Sequence, residues 1–185
     1  MRKLGIIGAF LLMGPFCFAQ NNTSGIKEAI QRSADSMATA FKARNWKGIV
    51  HFSPPSVIDM AGGEEALVQM TESIMGQIPD SAIKEFSIGP VLQVVKTGKD
   101  WQCVVEQHMK MEINGMRITM VSPLIGQSVN NGASWTFFDS KGDRETALQF
   151  LPTLSKELVL PKSVQDVEQL NAGTKKPNVT PPGKE

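Results

Sequence analysis

The sequence has 185 residues, and its 19 Lys and Arg against 18 Asp and Glu leave a formal net charge of +1. That length implies one domain able to bury about 68–70% of the surface its unfolded chain would expose, so it needs no staples. The near-neutral balance, with no clustered basic face, excludes the electrostatic footprint of a nucleic-acid binder.

In chain order, the first feature is an export signal. Arg2 and Lys3 precede the apolar run Leu4 to Phe16, and Cys17 and Ala19 stand three and one positions before Gln20, as a secretory cleavage site requires. The run is shorter than the roughly 20 apolar residues of a membrane span, so it reads as a signal over residues 1–19 and not as an anchor. Acylation at Cys17 is the alternative, disfavoured by the bulky Pro15-Phe16 before it. The expected location is therefore secreted or periplasmic. Removing residues 1–19 takes away Arg2 and Lys3, which moves the formal charge to −1 and leaves Cys103 as the remaining cysteine. No intramolecular disulfide is then available, and Cys103, within Trp101-Gln102-Cys103-Val104-Val105, reads as a small buried hydrophobe.

Thr23 or Ser24 is expected to cap a first helix, in which Ile26, Ile30, Ala34 or Met37, and Phe41 recur at helical spacing up to Ala43. Asn45 caps a short second helix with Trp46, Ile49 and Val50, which Pro54-Pro55 stops. After Gly62-Gly63 a third helix starts near Glu64, with two acids in its first turn and Leu67, Met70, Ile74 and Met75 as its buried edge. Beyond Gly76 the period becomes alternating. Strands are expected over 83–95, 101–113, 116–127 and 133–139, followed by a short helix from Arg144 to Leu151 and an apolar segment Leu158–Leu160. The compact domain spans 24–160. From Asn171 to Glu185 the Gly, Lys, Thr and Pro content cannot form a core, and a disordered tail is expected.

Asn114-Gly115 between alternating strands is the strongest short hairpin signal, a two-residue turn that fixes register. Ile113 then faces Met116, Met111 faces Ile118, Met109 faces Met120, Gln107 faces Ser122, Val105 faces Leu124 and Cys103 faces Gly126, all on one core-facing side. The opposite side pairs Glu112 with Arg117, Lys110 with Thr119, His108 with Val121 and Glu106 with Pro123, a polar and wet face suited to homodimer contact. Glu106 and His108 lie on that face, where a solvated role outweighs acid/base work. Gln107 and Ser122 are the polar exceptions in an apolar, methionine-rich stripe, and either bond each other or turn toward a pocket.

This order of elements resembles the nuclear transport factor two-like superfamily over about residues 24–140. The segments that carry the resemblance are His51-Phe52-Ser53-Pro54-Pro55 through Val57-Ile58-Asp59 to Gly62-Gly63-Glu64-Glu65-Ala66-Leu67, and Gly132-Ala133-Ser134-Trp135-Thr136-Phe137-Phe138-Asp139. The resemblance implies an α+β fold: three N-terminal helices packed on a strongly curved, mainly antiparallel sheet of four or more strands, a cystatin-like cone with a cavity at its open end. Small secreted bacterial members share that layout. Branches similar to ketosteroid isomerase or scytalone dehydratase place acids, tyrosines or histidines inside the cone, but this chain has no tyrosine and two histidines. The isomerase-type Tyr-plus-acid site therefore maps to no position here.

Two functions of different class remain. One is a non-catalytic module that binds a small apolar or amphipathic ligand, or a partner protein, with Gln107 and Ser122 at the middle of the inner face, Trp135 and Phe137 as an apolar wall, and Asp59 and His51 at the rim. The other is a small isomerase, dehydratase or hydrolase using His51 or Asp59, although a histidine closing a short helix also serves its C-terminal dipole. No metal or cofactor is expected, because no Cys/His cluster, phosphate-cradling glycine loop or nucleophile elbow occurs. Met70, Met75, Met109, Met111, Met116 and Met120 read as core filling, or as the adaptable surface methionine also makes. Protein secreted by its native host should begin at Gln20; an intact mass that retains Leu4 to Phe16, or that carries a lipid on Cys17, would overturn the assignment.

Overall fold

A computed structural model describes residues 21–170. The expected signal segment, its cleavage site and the expected tail from Asn171 lie outside those residues.

The first helix, α1 (Asn21–Lys42), buries Ile26, Ile30, Ala34 and Met37, a stripe at three- and four-residue spacing. It begins earlier than its cap signals suggest, so Thr23 and Ser24 lie exposed within it. Asn45 caps α2 (Trp46–Val50) as expected, its side chain accepting from the Gly48 N–H at 2.9 Å. Pro54-Pro55 ends α2 and also starts a further helix, α3 (Pro55–Met60). Proline suits a first helical position, where the missing donor would be unpaired anyway and the fixed φ is already helical. Gly62 and Gly63, at φ 89° and 112°, turn the chain into α4 (Glu64–Met75).

The buried edge expected of that helix is corrected. Met70 and Ile74 are exposed, Leu67 and Met75 are half-buried, and no residue of α4 is buried. Its neighbours are α2 and α3, helices too short to cover it. The Arg44 guanidinium ties its far end down, donating to the carbonyls of Met75 at 3.2 Å and Ile78 at 2.8 Å.

A 3-10 turn at Asp80–Ala82 leads into β1 (Ile83–Thr97), β2 (Asp100–Ile113) and β3 (Met116–Ser128), then β4 (Thr136–Asp139), α5 (Arg144–Phe150) and β5 (Val164–Gln169). The strands form a curled, unclosed antiparallel sheet in the order β1-β2-β3-β4, with β5 also on β3. The α+β class and the antiparallel sheet are therefore present, with four α-helices ahead of the strands. Asn114 and Gly115 sit at φ 52° and 73°, the two positive values a tight I′ turn demands, and every expected β2–β3 pair is found. β4 starts later than expected because residues before it form a loop, in which the Asn130 side chain accepts from the Ser134 N–H at 2.9 Å. β5 carries no hydrophobic signal. All six of its residues are exposed, and it exists through its ladder with Met116–Val121 of β3.

Both faces of the sheet are covered at one end. On the helix-facing side Trp101, Cys103, Val105, Leu124, Trp135 and Phe137 pack against the stripe of α1. Gly126 permits this closeness, since a Cβ there would stand 2.5 Å from Cys103 Sγ and 2.8 Å from the Phe137 ring. The outer side, expected to be mostly polar over the pairs from Glu112–Arg117 to Glu106–Pro123, has a second core beyond them, at this end: Val95, Val104, Ile125 and Phe138 meet Ala147, Leu151, Leu154 and Leu158. The chain after α5 folds back and buries Val104 and Ile125.

Gln102 fastens that return. It is 1% exposed, its Nε2 donates to the Thr153 carbonyl at 2.9 Å, and its Oε1 accepts from the Ser155 N–H at 2.8 Å. Replacing Gln102 with Leu removes both hydrogen bonds, each with a net worth of about 0.5–1.5 kcal/mol. The variant should melt at lower temperature by scanning calorimetry; an unchanged Tm would show that the 151–160 segment is held by its leucines alone.

Candidate functional site

Because the side-chain period of a strand is two, the β2–β3 register sorts the helix-facing surface into rows. The rows nearest the loop end, through Cys103 and Val105, lie beneath α1 and are buried. The rows nearest the Asn114-Gly115 turn are not. Met109, Met111, Ile113, Ile118 and Met120 are half-buried, Met116 is 39% exposed, and none of the six belongs to either core cluster. At its β1 edge this patch meets Phe86, opposite Met109, which stacks on Phe41 of α1 with ring centroids 3.9 Å apart. At its other edge stands β5, whose Gln165 and Val167 face Met120 and Ile118.

A polar line separates the buried half from the open half. Gln107 Nε2 donates to Ser122 Oγ at 3.4 Å, and Ser122 Oγ donates to Asp139 Oδ2 at 3.1 Å. Ser122 is 8% exposed and its hydroxyl is satisfied by the carboxylate. The contact from Gln107 is long, so its amide is only loosely engaged. The two alternatives open for this pair thus divide between its members: Ser122 is internally bonded, and Gln107 keeps a carbonyl oxygen and an N–H in hand. Asp139 was not anticipated. The strand alternation that put Trp135 and Phe137 on one side extends to residue 139, and following it one step further would have found the carboxylate.

The remaining sequence candidates lie elsewhere. Trp135 and Phe137, expected as a pocket wall, are 3% and 4% exposed and form part of the core under α1. His51 is exposed at the C-terminus of α2, its ring edge-on to Phe52 with centroids 5.7 Å apart, and Asp59 is exposed on α3. No hydrogen bond or ion pair links His51 to Asp59 among the described residues. Phe52 connects this region to the sheet, its carbonyl accepting from the Phe137 N–H at 2.6 Å.

The outer face near the turn has the polar pairs the register implies. Arg117 donates to Glu112 at 2.8 Å and to Glu168 at 3.3 Å, and the guanidinium holds the Glu112 carboxyl below its ordinary value. Glu106 and His108 approach to 3.9 Å, too far for a hydrogen bond. The surface expected to serve a homodimer is thus already covered at its Val104 and Ile125 end and charged at the other.

One cleft, of about 460 Å³, runs between the end of α1 and β1, past Phe41, Arg44, Ile83 and Phe86. A smaller one of about 160 Å³ reaches Ser122 from the outer side, between Pro123 and Val164. Among the described residues no three His, Cys, Asp or Glu side chains come together as a metal site, and no helix is long and apolar enough to cross a membrane. No family model and no curated protein matches the chain.

Cys103 offers no nucleophile in this setting. It is fully buried, and burial pushes its thiol well above the ordinary value despite the opposing hydrogen bond from Gly126. The native protein should resist thiol reagents at neutral pH and react after unfolding. Rapid labelling of the folded chain would contradict its placement under α1.

Proposed function

We propose that this protein is a non-catalytic, secreted or periplasmic module of the nuclear transport factor two-like type that binds a small apolar or amphipathic ligand. The observation that carries the reading is the divided helix-facing surface. Its loop half is packed, while its turn half presents Met109, Met111, Ile118 and Met120 partly to solvent and ends on the Gln107–Ser122–Asp139 line. An apolar floor with a few convergent polar groups is the composition a small-molecule site requires. Methionine suits such a floor because its unbranched, polarizable side chain adapts to an irregular shape. The curled, unclosed sheet is compatible with the cone this family builds. A partner protein's apolar segment would use the same surface.

No observation favours the enzymatic alternative. His51 and Asp59 sit on separate short helices and share no partner among the described residues, whereas acid/base catalysis asks for groups within reach of one substrate atom.

Two variants test the reading with 1-anilinonaphthalene-8-sulfonate as an apolar probe and with whatever ligand native mass spectrometry finds on protein from the native host. Ile118→Asn puts an amide in the middle of the patch and should abolish probe binding. Gln107→Leu should leave thermal stability nearly unchanged and weaken the co-purified ligand by about 0.5–1.5 kcal/mol, roughly 2 to 13-fold, the worth of one hydrogen bond. Undiminished probe binding by the Ile118 variant would sink the proposal.

A further inference from the structure

The open half of the helix-facing surface contains a second chemistry besides its apolar character. Met109 and Met120 are direct cross-strand partners, and Met111 lies two residues along from Met109 on the same face. In such a ladder directly opposed Cβ atoms stand about 4.5–5.5 Å apart and diagonal ones, here Met111 and Met120, about 7–8 Å. Three thioether side chains therefore start from one small triangle of positions on a two-stranded floor. Each Met side chain has three rotatable bonds with which to bring its sulfur inward. All three residues are half-buried and absent from both cores, unlike Cys103.

Thioether sulfur is a soft, neutral donor that selects Cu(I), and it contributes little to harder cations. The surroundings reinforce that selectivity. Among the described residues the patch holds no imidazole or carboxylate: His108 and Glu106 face the opposite side of the sheet, and Asp139 stands beyond Gln107 and Ser122. The neighbours Ile83, Phe86 and Ile118 are apolar, which suits a cation of low charge with weak hydration.

We infer that Met109, Met111 and Met120 form a three-thioether site for Cu(I). The metal arrives and leaves as Cu(I), so binding transfers no electron and breaks no bond in the protein. The inference is independent of the organic-ligand reading, although both use the same face. Met→Leu substitution separates them, because it conserves volume and apolarity while it deletes the sulfur.

The test is an anaerobic titration of the purified protein against Cu(I) held by bicinchoninate, followed by the loss of the chelate's colour. The wild type should withdraw about one Cu(I) per chain. M109L/M111L/M120L should lose that binding, while Met60→Leu with Met70→Leu, on exposed helical sites, should keep it. If the triple variant is not folded by circular dichroism, the single variants Met109→Leu and Met120→Leu are measured instead, and each should weaken Cu(I) retention. X-ray absorption of the loaded protein should show a shell of sulfur alone. Retention of Cu(I) by the triple variant, a nitrogen or oxygen shell, or no withdrawal of metal by the wild type would overturn the site. A variant that loses Cu(I) but still binds the probe leaves the organic-ligand reading intact.

Discussion

The two-residue turn at Asn114-Gly115 is the constraint on which the arrangement rests. Both residues need positive φ, which glycine adopts without steric cost and asparagine tolerates better than other side chains. A turn of two residues leaves one register for the 13 pairs of the β2–β3 ladder, and a slip by one would send every side chain to the opposite face. Cys103 and Val105 would then leave α1 and confront α5, while Gln102 and Val104 would enter the inner core. The placement of each core, of the polar line and of the methionine patch follows from that single parity.

Given the register, the sheet is stabilised from two sides over the same stretch of β2 and β3. α1 supplies one apolar stripe, and the chain from α5 to Leu158 supplies another. Arg144 and Gln102 join in holding that return, Arg144 through the carbonyls of Leu158 and Ser155, Gln102 through Thr153 and Ser155. Among the described residues the hairpin tip has no such cover, and its edge is closed by β5, which buries none of its side chains. Local stability should therefore fall from the packed end toward the turn, as expected where apolar contacts thin out. At the turn end the floor is held by its ladder, and the side chains above it are only half-buried.

The polar line shows how a short run of hydrogen bonds can divide such a face. Ser122 has a carboxylate to donate to, so its burial is not costly, whereas Gln107 is engaged only by a long contact. The division leaves the sulfur-rich half apolar without being part of a core. There methionine has two chemistries available, a deformable hydrophobic surface and a soft donor set, and leucine could supply only the first.

Local sequence determined much of this protein. The stripe of α1, the Asn45 cap, the hairpin and its register, the α5 segment and the pairing of Gln107 with Ser122 follow from periodicity, capping and turn chemistry, all of which act within a few residues or across one two-residue turn. Tertiary structure decided the rest. Whether Met70 and Ile74 are buried depends on what lies opposite α4, and there is too little helix there to cover them. Whether Val104 and Ile125 meet water depends on the later segment from Ala147 to Leu158 folding back. β5 has a polar sequence and forms because the edge of β3 offers unpaired backbone groups, a property of the partner strand that its own residues do not encode. Trp135 and Phe137 have the composition of a pocket wall, and only the position of α1 makes them core. Periodicity states which residues share a face; what covers that face is settled by distant segments competing to bury apolar surface, and no local pattern records the outcome.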